Sequence, residues 1–297
     1  MKTIAALFIL IWSTGFIVAK LIVPVADPDL FLSARFIVAG TLFLVLAFAA
    51  RVPWPARRDI PKHVLAGILM QGGYLGGTYW VVAQGLAPSV MALLGALQPA
   101  LTAVLGIVAL REVPTVRTWL GLAIGAGGVA LVLVPGLLAH GSGELQLGVV
   151  AVAVIAVLSL TAGTVLQKTS IAAIDLRASA MLQNLGAAVV IVPLAWARGE
   201  SRWLSGPALW GSLVWAALVL SGIGTLMLVW MVRRGRAANV ASLMLLAPPL
   251  AAVESYLLFG DRLTALQIGG FAIALAGVFL CNPARPSAHA SMPAARV

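Results

Sequence analysis

Long apolar runs, separated by short polar stretches, recur from one end of the chain to the other. Ten can be placed, at 4–22, 30–50, 63–83, 89–110, 117–135, 146–166, 178–196, 208–231, 237–259 and 264–282. Each is close to the roughly 20 residues that a helix needs to cross a hydrocarbon core about 30 Å thick. Every connecting stretch is short, and the segment after Cys281 is polar and proline-rich. The pattern predicts an all-α membrane protein with ten transmembrane helices and little room for a soluble domain.

The pattern also repeats. The stretches LQPALTAVLGIVALREVPTVRTWLGLAIGAGGVALV (97–132) and LAPPLAAVESYLLFGDRLTALQIGGFAIALAGVFLC (246–281) align without gaps. Leu97 then meets Leu246, Pro99 meets Pro248, Thr115 meets Thr264, Gly121 meets Gly270, Gly128 meets Gly277, and Glu112 faces Asp261. Roughly a third of the positions agree, well above chance even for so biased a composition. The expected organisation is a first five-helix repeat at 1–136, a second at 144–282, and a polar cytoplasmic tail at 283–297. An odd number of spans per repeat forces the second to cross the membrane in the opposite sense. Inverted repeats are the architecture of alternating-access carriers, whose substrate site lies between the halves near the bilayer midplane.

Composition agrees and adds orientation. Only 9% of residues are charged, and the mean hydropathy is +1.07. The net charge of +10 does not gather on an amphipathic face, so a nucleic-acid partner is not expected. Of the 19 Lys and Arg, one side of the ten-span arrangement receives Lys20, Arg198, Arg202 and Arg262. Arg35 falls inside a span and the remainder lie on the other side. Basic loops stay in the cytoplasm, which places both termini there and the protein in the cell (inner) membrane. The first span follows Lys2 but lacks a small-x-small cleavage site, so it reads as an uncleaved helix. A single cysteine, Cys281, excludes an internal disulfide and a multi-cysteine metal site. No cofactor is expected. The histidines His63, His140 and His289 fall in loops or tails, so a membrane enzyme lacks an acid–base or metal constellation. A channel would show a filter or a charged ring, and neither is present.

Several stretches resemble the drug/metabolite transporter superfamily in its EamA-type, ten-helix branch. They are IWSTGFIVAK (11–20), SARFIVAG (33–40), and the two repeat ends with a proline, an acid at the helix end and a glycine-rich helix. The resemblance covers about 4–282. It implies export of small metabolites, often amino acids, or of drugs, and a cavity lined by helices 1, 3, 4, 6, 8 and 9, with helices 5 and 10 peripheral. It does not carry over a substrate identity.

The residues point to candidate positions. Gln71, Tyr74 and Thr78 share one face of the third span, and Met91, Gln98 and Thr102 share one face of the fourth. Thr161 and Thr164 in the sixth span, Ser221 and Thr225 in the eighth, and Trp12 in the first extend the set. Polar groups in lipid need partners, so these faces turn inward, toward substrate or toward other helices. The substrate-binding candidates are Trp12, Gln71, Tyr74, Gln98, Thr161, Ser221 and Glu254. Pro99, Pro248 and Pro249 are expected to interrupt their helices, since proline removes a donor and frees a carbonyl of the preceding turn; paired interruptions mark binding sites in such folds. Glu254 is the one acid within a span and is the proton-coupling candidate. Arg35, near a span end, is expected to reach back to water. Gly121, Gly125 and Gly128 in the fifth span, with Gly269, Gly270 and Gly277 in the tenth, predict close-packed scaffolds.

Overall fold

The structure is a computed structural model. It describes residues 2–98, 101, 102, 105, 115–139, 143–170, 174–234, 244 and 246–281. Pro99, Glu112 and the tail 283–297 lie outside the described residues.

The helices are α1 (Lys2–Leu21), α2 (Pro28–Ala49), α3 (Ile60–Gly67), α4 (Tyr74–Ala83), α5 (Pro88–Ala96) and α6 (Val116–Ala139). They continue with α7 (Gly143–Ser170), α8 (Leu176–Ala197), α9 (Pro207–Val214), α10 (Thr225–Arg234), α11 (Ala247–Phe259) and α12 (Ala265–Cys281). Proline opens α2, α3, α5, α9 and α11, where the first turn has no use for its missing N–H. Gly85 and Gly199 follow the ends of α4 and α8, and Gly260 caps α11, all at positive φ. These left-handed residues stop the helices.

Two π-helical stretches, Ile68–Gly73 and Trp215–Gly224, join α3 to α4 and α9 to α10 into continuous rods. The offset that carries Leu97 onto Leu246 in the sequence carries Ile68–Gly73 onto 217–222, inside the second stretch. A π turn widens the helix by about a residue per turn and is frequent at functional sites.

Among the described residues, six helices are long and apolar enough to cross a membrane, at 3–21, 28–49, 116–133, 147–167, 176–197 and 207–227, and Ala265–Leu280 is a shorter apolar helix. Large apolar side chains face outward along them: Trp196 is 85% exposed and Ile155 63%. In water that surface would be untenable, whereas lipid solvates it. The chain is a multi-pass membrane protein. Its interior holds Phe31, Phe36, Tyr79, Met91 and Leu93, all fully or almost fully buried.

The most extensive helix pairing among the described elements is α6 against α12. A Cβ on Gly128 would fall on the backbone of Ala274, and one on Gly277 on the backbone of Gly125. Only glycine allows that approach. Arg117 Nε donates to the Leu280 carbonyl (3.0 Å) and Gln267 Nε2 to that of Val132 (3.3 Å), pinning both ends of the seam. The glycine-rich helices thus pack chiefly on each other.

Candidate functional site

A cavity of about 310 Å³ lies within the bundle, at the low end of the ~300–1,000 Å³ typical of small-molecule sites. Its described lining comes from α1, α2, the α3–α4 rod, α7, α8 and the α9–α10 rod. Trp12, Gly15 and Phe16 supply the α1 wall. Gln71, Tyr74 and Thr78 form one polar stripe across the first π stretch and α4. Ser221 of the second π stretch and Thr225 line it from the other half, and Gln167, Gln183 and Asn184 come from α7 and α8.

The backbone explains how these groups converge. A Cβ on Gly67 would meet the Gln183 carbonyl and one on Gly186 the Val64 carbonyl, so α3 and α8 touch backbone to backbone. That contact brings Gln183 and Asn184 beside the α3–α4 rod. Gly95 leaves room for the Tyr74 hydroxyl, which would stand 2.9 Å from a Cβ there. Asn184 Nδ2 donates to the Ala180 carbonyl (2.8 Å), while its Oδ1 is buried without a protein partner.

Arg35 departs from expectation. Instead of reaching water, it is 6% exposed and lines the cavity. Its Nη1 donates to the Tyr79 hydroxyl (3.2 Å) and its Nη2 to Ser221 Oγ (3.3 Å). The sequence places Arg35 near a helix end; the burial comes from Tyr79 and Ser221, which only the fold brings there. The polar pair Gln183 and Asn184, midway along an apolar span, was the available signal for the α8 wall. His63, expected in a loop, is fully buried in α3, its Nδ1 3.0 Å from Ser179 Oγ.

Other candidates sit outside this cavity. Gln98 Nε2 donates to Thr164 Oγ1 (2.8 Å). Thr161 is buried and donates back to the Val157 carbonyl of its own helix (2.7 Å). Glu254 Oε1 meets Ser13 Oγ at 2.6 Å, and its Oε2 is buried without a partner. Neither Ser13 nor Glu254 is among the residues that line the cavity. Pro248 and Pro249 lie in the first turn of α11, after a break at Leu246. Leu97, at the end of α5, has nearly the same backbone angles as Leu246 (φ −74°, ψ −12° against φ −83°, ψ −12°). The interruptions therefore fall at sequence-equivalent leucines, and the prolines of the second open a helix rather than kink one.

One end of the bundle is tied together by charge. Lys20 Nζ pairs with Asp261 (2.6 Å) and lies 4.7 Å from the Phe259 ring centroid. Arg198 pairs with the buried Asp29 (2.6 Å) and Arg202 with Asp27 (2.8 Å). Ala26 and Trp203 form an antiparallel bridge between the loops after α1 and α8. Partial burial pulls the Asp27 carboxyl upward, but the N–H groups of Arg202 and Ser201 and the Arg202 guanidinium outweigh it and hold it below its ordinary value. Burial pushes Glu200, on the same loop, the other way, although it accepts the Leu30 N–H (2.8 Å).

The chain's profile matches that of the EamA-like transporter family twice, over 3–134 and 147–282. It is 26% identical over 305 residues to "Uncharacterized transporter sll0355" of Synechocystis sp., covering 94% of this chain and 88% of that one. It is 22% identical over 280 residues to "Uncharacterized transporter YvbV" of Bacillus subtilis, covering 93% and 90%. A solved crystal structure shares the fold with a TM-score of 0.65 at 18% identity, covering 94% of this chain and 96% of that one. Two family matches across nearly the whole length, on a bundle with an internal cavity, identify a transporter rather than an enzyme: the chain belongs to the EamA-like transporter family.

Proposed function

We propose that the protein is a ten-helix secondary carrier that exports small metabolites such as amino acids by alternating access, with proton coupling through Glu254. The observation that carries the reading is the make-up of the cavity. Its walls come from the first three spans of one half and the first three of the other, with a π stretch in the third span of each. A site shared by two halves can be opened by rocking one against the other. The family match in two blocks supports repeats at 1–136 and 144–282. The ion pairs Lys20–Asp261, Asp27–Arg202 and Asp29–Arg198 then act as the outer gate, with both termini cytoplasmic and the protein in the cell (inner) membrane. Gln71, Tyr74, Ser221 and Trp12 hold the substrate. Gln98 and Thr161 brace the bundle beside it, and Pro99, Pro248 and Pro249 mark where the fourth and ninth spans are interrupted.

Ser13 Oγ lies within bonding distance of both the Leu10 carbonyl (3.0 Å) and Glu254 (2.6 Å), yet it has one hydrogen. A proton on Glu254 completes the chain from carboxyl to hydroxyl to carbonyl; its loss breaks the chain and leaves Ser13 to choose. A group with two distinct hydrogen-bonded states is what coupling needs.

The test needs no prior substrate. Proteoliposomes loaded with a mixture of amino acids and other small metabolites are diluted with and without an imposed proton gradient, and effluxed compounds are read by mass spectrometry. A subset is expected to leave faster than from protein-free vesicles, and faster still with the gradient. Identical efflux from both kinds of vesicle would end the carrier reading.

A further inference from the structure

We infer that Arg35 is an anion subsite, so that the transported molecule carries a single carboxylate seated against the guanidinium; this rests on the carrier reading above. Arg35 is 94% buried by its 6% exposure and lies on the cavity wall. A guanidinium has five N–H donors. Two are used, by Tyr79 and Ser221, both neutral hydroxyls. Nε is buried and has no protein partner. Among the described residues Arg35 forms no ion pair, and the nearest acid along α2, Asp29, is taken by Arg198. An intramembrane cation without a counter-ion is costly, and such residues mark ligand pathways.

The neighbours fix the chemistry. Tyr79 and Ser221 can accept from the guanidinium without neutralising it, and Ser221 spends its own hydrogen on the Ala216 carbonyl (3.0 Å), an i to i−5 bond of the π stretch. The oxygen is therefore turned to accept, and the arginine is held in place with its remaining donors unused. A planar carboxylate takes two of them side by side. The other described polar groups of the lining are neutral amides and hydroxyls. One positive charge matches one negative charge, so a monocarboxylate fits and a phosphate dianion would lack a second cation. No described lining residue is acidic, so the cavity offers a lipophilic cation no counter-charge, and Arg35 repels it. Trp12, Phe16 and Phe43 give the carboxylate's organic body an apolar wall.

The experiment measures binding to the purified full-length chain by calorimetry. The probes are monocarboxylates paired with their own carboxamides: phenylacetate, indole-3-acetate, isovalerate, phenylalanine and leucine, with tetraphenylphosphonium as the cation. At least one carboxylate is expected to bind about tenfold or more tighter than its amide, the range of a charge-assisted, two-point hydrogen bond. In Arg35→Gln that ratio should fall to near one. Arg35→Lys keeps a charge in the site and guards against misfolding; there the ratio should fall severalfold, because the fork is gone. Carboxylates no tighter than their amides, no carboxylate binding at all, tighter binding of tetraphenylphosphonium, or an unchanged ratio in folded Arg35→Gln would each overturn the subsite. Flux is read separately on the same protein. Carboxylate binding without flux would contradict the carrier and leave the subsite standing, and flux without carboxylate preference would do the reverse.

Discussion

Glu254 and Ser13 connect α11 to α1 by a 2.6 Å contact, at the residue that follows Trp12 of the cavity wall. Glu254→Gln mimics the protonated acid at nearly constant volume, and a neutral amide costs no more to bury than a neutral acid. The variant is expected to fold, to bind and to exchange substrate, but to lose gradient-driven flux. Wild-type flux in the variant would remove Glu254 from coupling; lost binding would make it a substrate contact instead. Residue-level reading of the sequence reached Gln71, Tyr74 and Thr78 because a helix face is periodic, and all three share one wall. It placed Arg35 in water because depth along a helix is local information. The partners that keep Arg35 buried, Tyr79 and Ser221, are 44 and 186 residues away, and no local pattern announces them. Glu254 was legible as an odd acid in lipid, but its place outside the cavity lining was not.

Helices in this bundle are positioned by glycine where they meet most closely. The backbones of Val64 and Gln183 leave no room for a Cβ at Gly186 or Gly67. Gly186→Leu is expected to force α3 and α8 apart, costing about 1–3 kcal/mol by overpacking and lowering the thermal midpoint of the detergent-solubilised protein. Gly211, with nothing near its Cβ position, is the control: Gly211→Leu should not lower the midpoint, since a helix favours leucine over glycine where space is open. The loops after α1 and α8 are clamped by Asp27 and Arg202. Asp27 is held below its ordinary value of 3.8, so its charged form favours the folded state. Its contribution is whole at neutral pH, shrinks as pH falls below that ordinary value, and is gone below the lowered one. Wild type and Asp27→Asn should therefore differ in stability at pH 7, by no more than about 1 kcal/mol because Arg202 is half exposed, and their thermal midpoints should converge on strong acidification. The element pattern was the most legible level. Glycine spacing marked α6 and α12 as close-packed scaffolds, but not that they pack on each other. The π stretches were not legible, since an extra residue in a turn leaves the apolar run unchanged. Nor was the position of the break at Leu246, because proline at a helix start and proline in its middle look alike in a chain that is apolar on both sides.

The whole molecule is a helical transporter with a cavity between spans drawn from both halves of its sequence. The charge bias of the loops predicts its orientation. Cysteines introduced at Arg57 and Arg234 should be shielded from an impermeant external thiol reagent, whereas those at Glu144 and Arg202 should react; the opposite pattern would invert the orientation without touching the repeat. The central claim is that the cavity opens to the two sides in turn. It is tested most directly by labelling Gln71→Cys, in a Cys281→Ser background, from outside in whole cells and from inside in inverted vesicles. Ala26 and Trp203 face each other across the antiparallel bridge, so Ala26→Cys with Trp203→Cys falls within reach of a disulfide. Labelling of Gln71→Cys is expected from both sides when that pair is reduced, and from the inside alone once it is oxidised. Labelling from neither side, or outside labelling that survives the disulfide, would contradict alternating access.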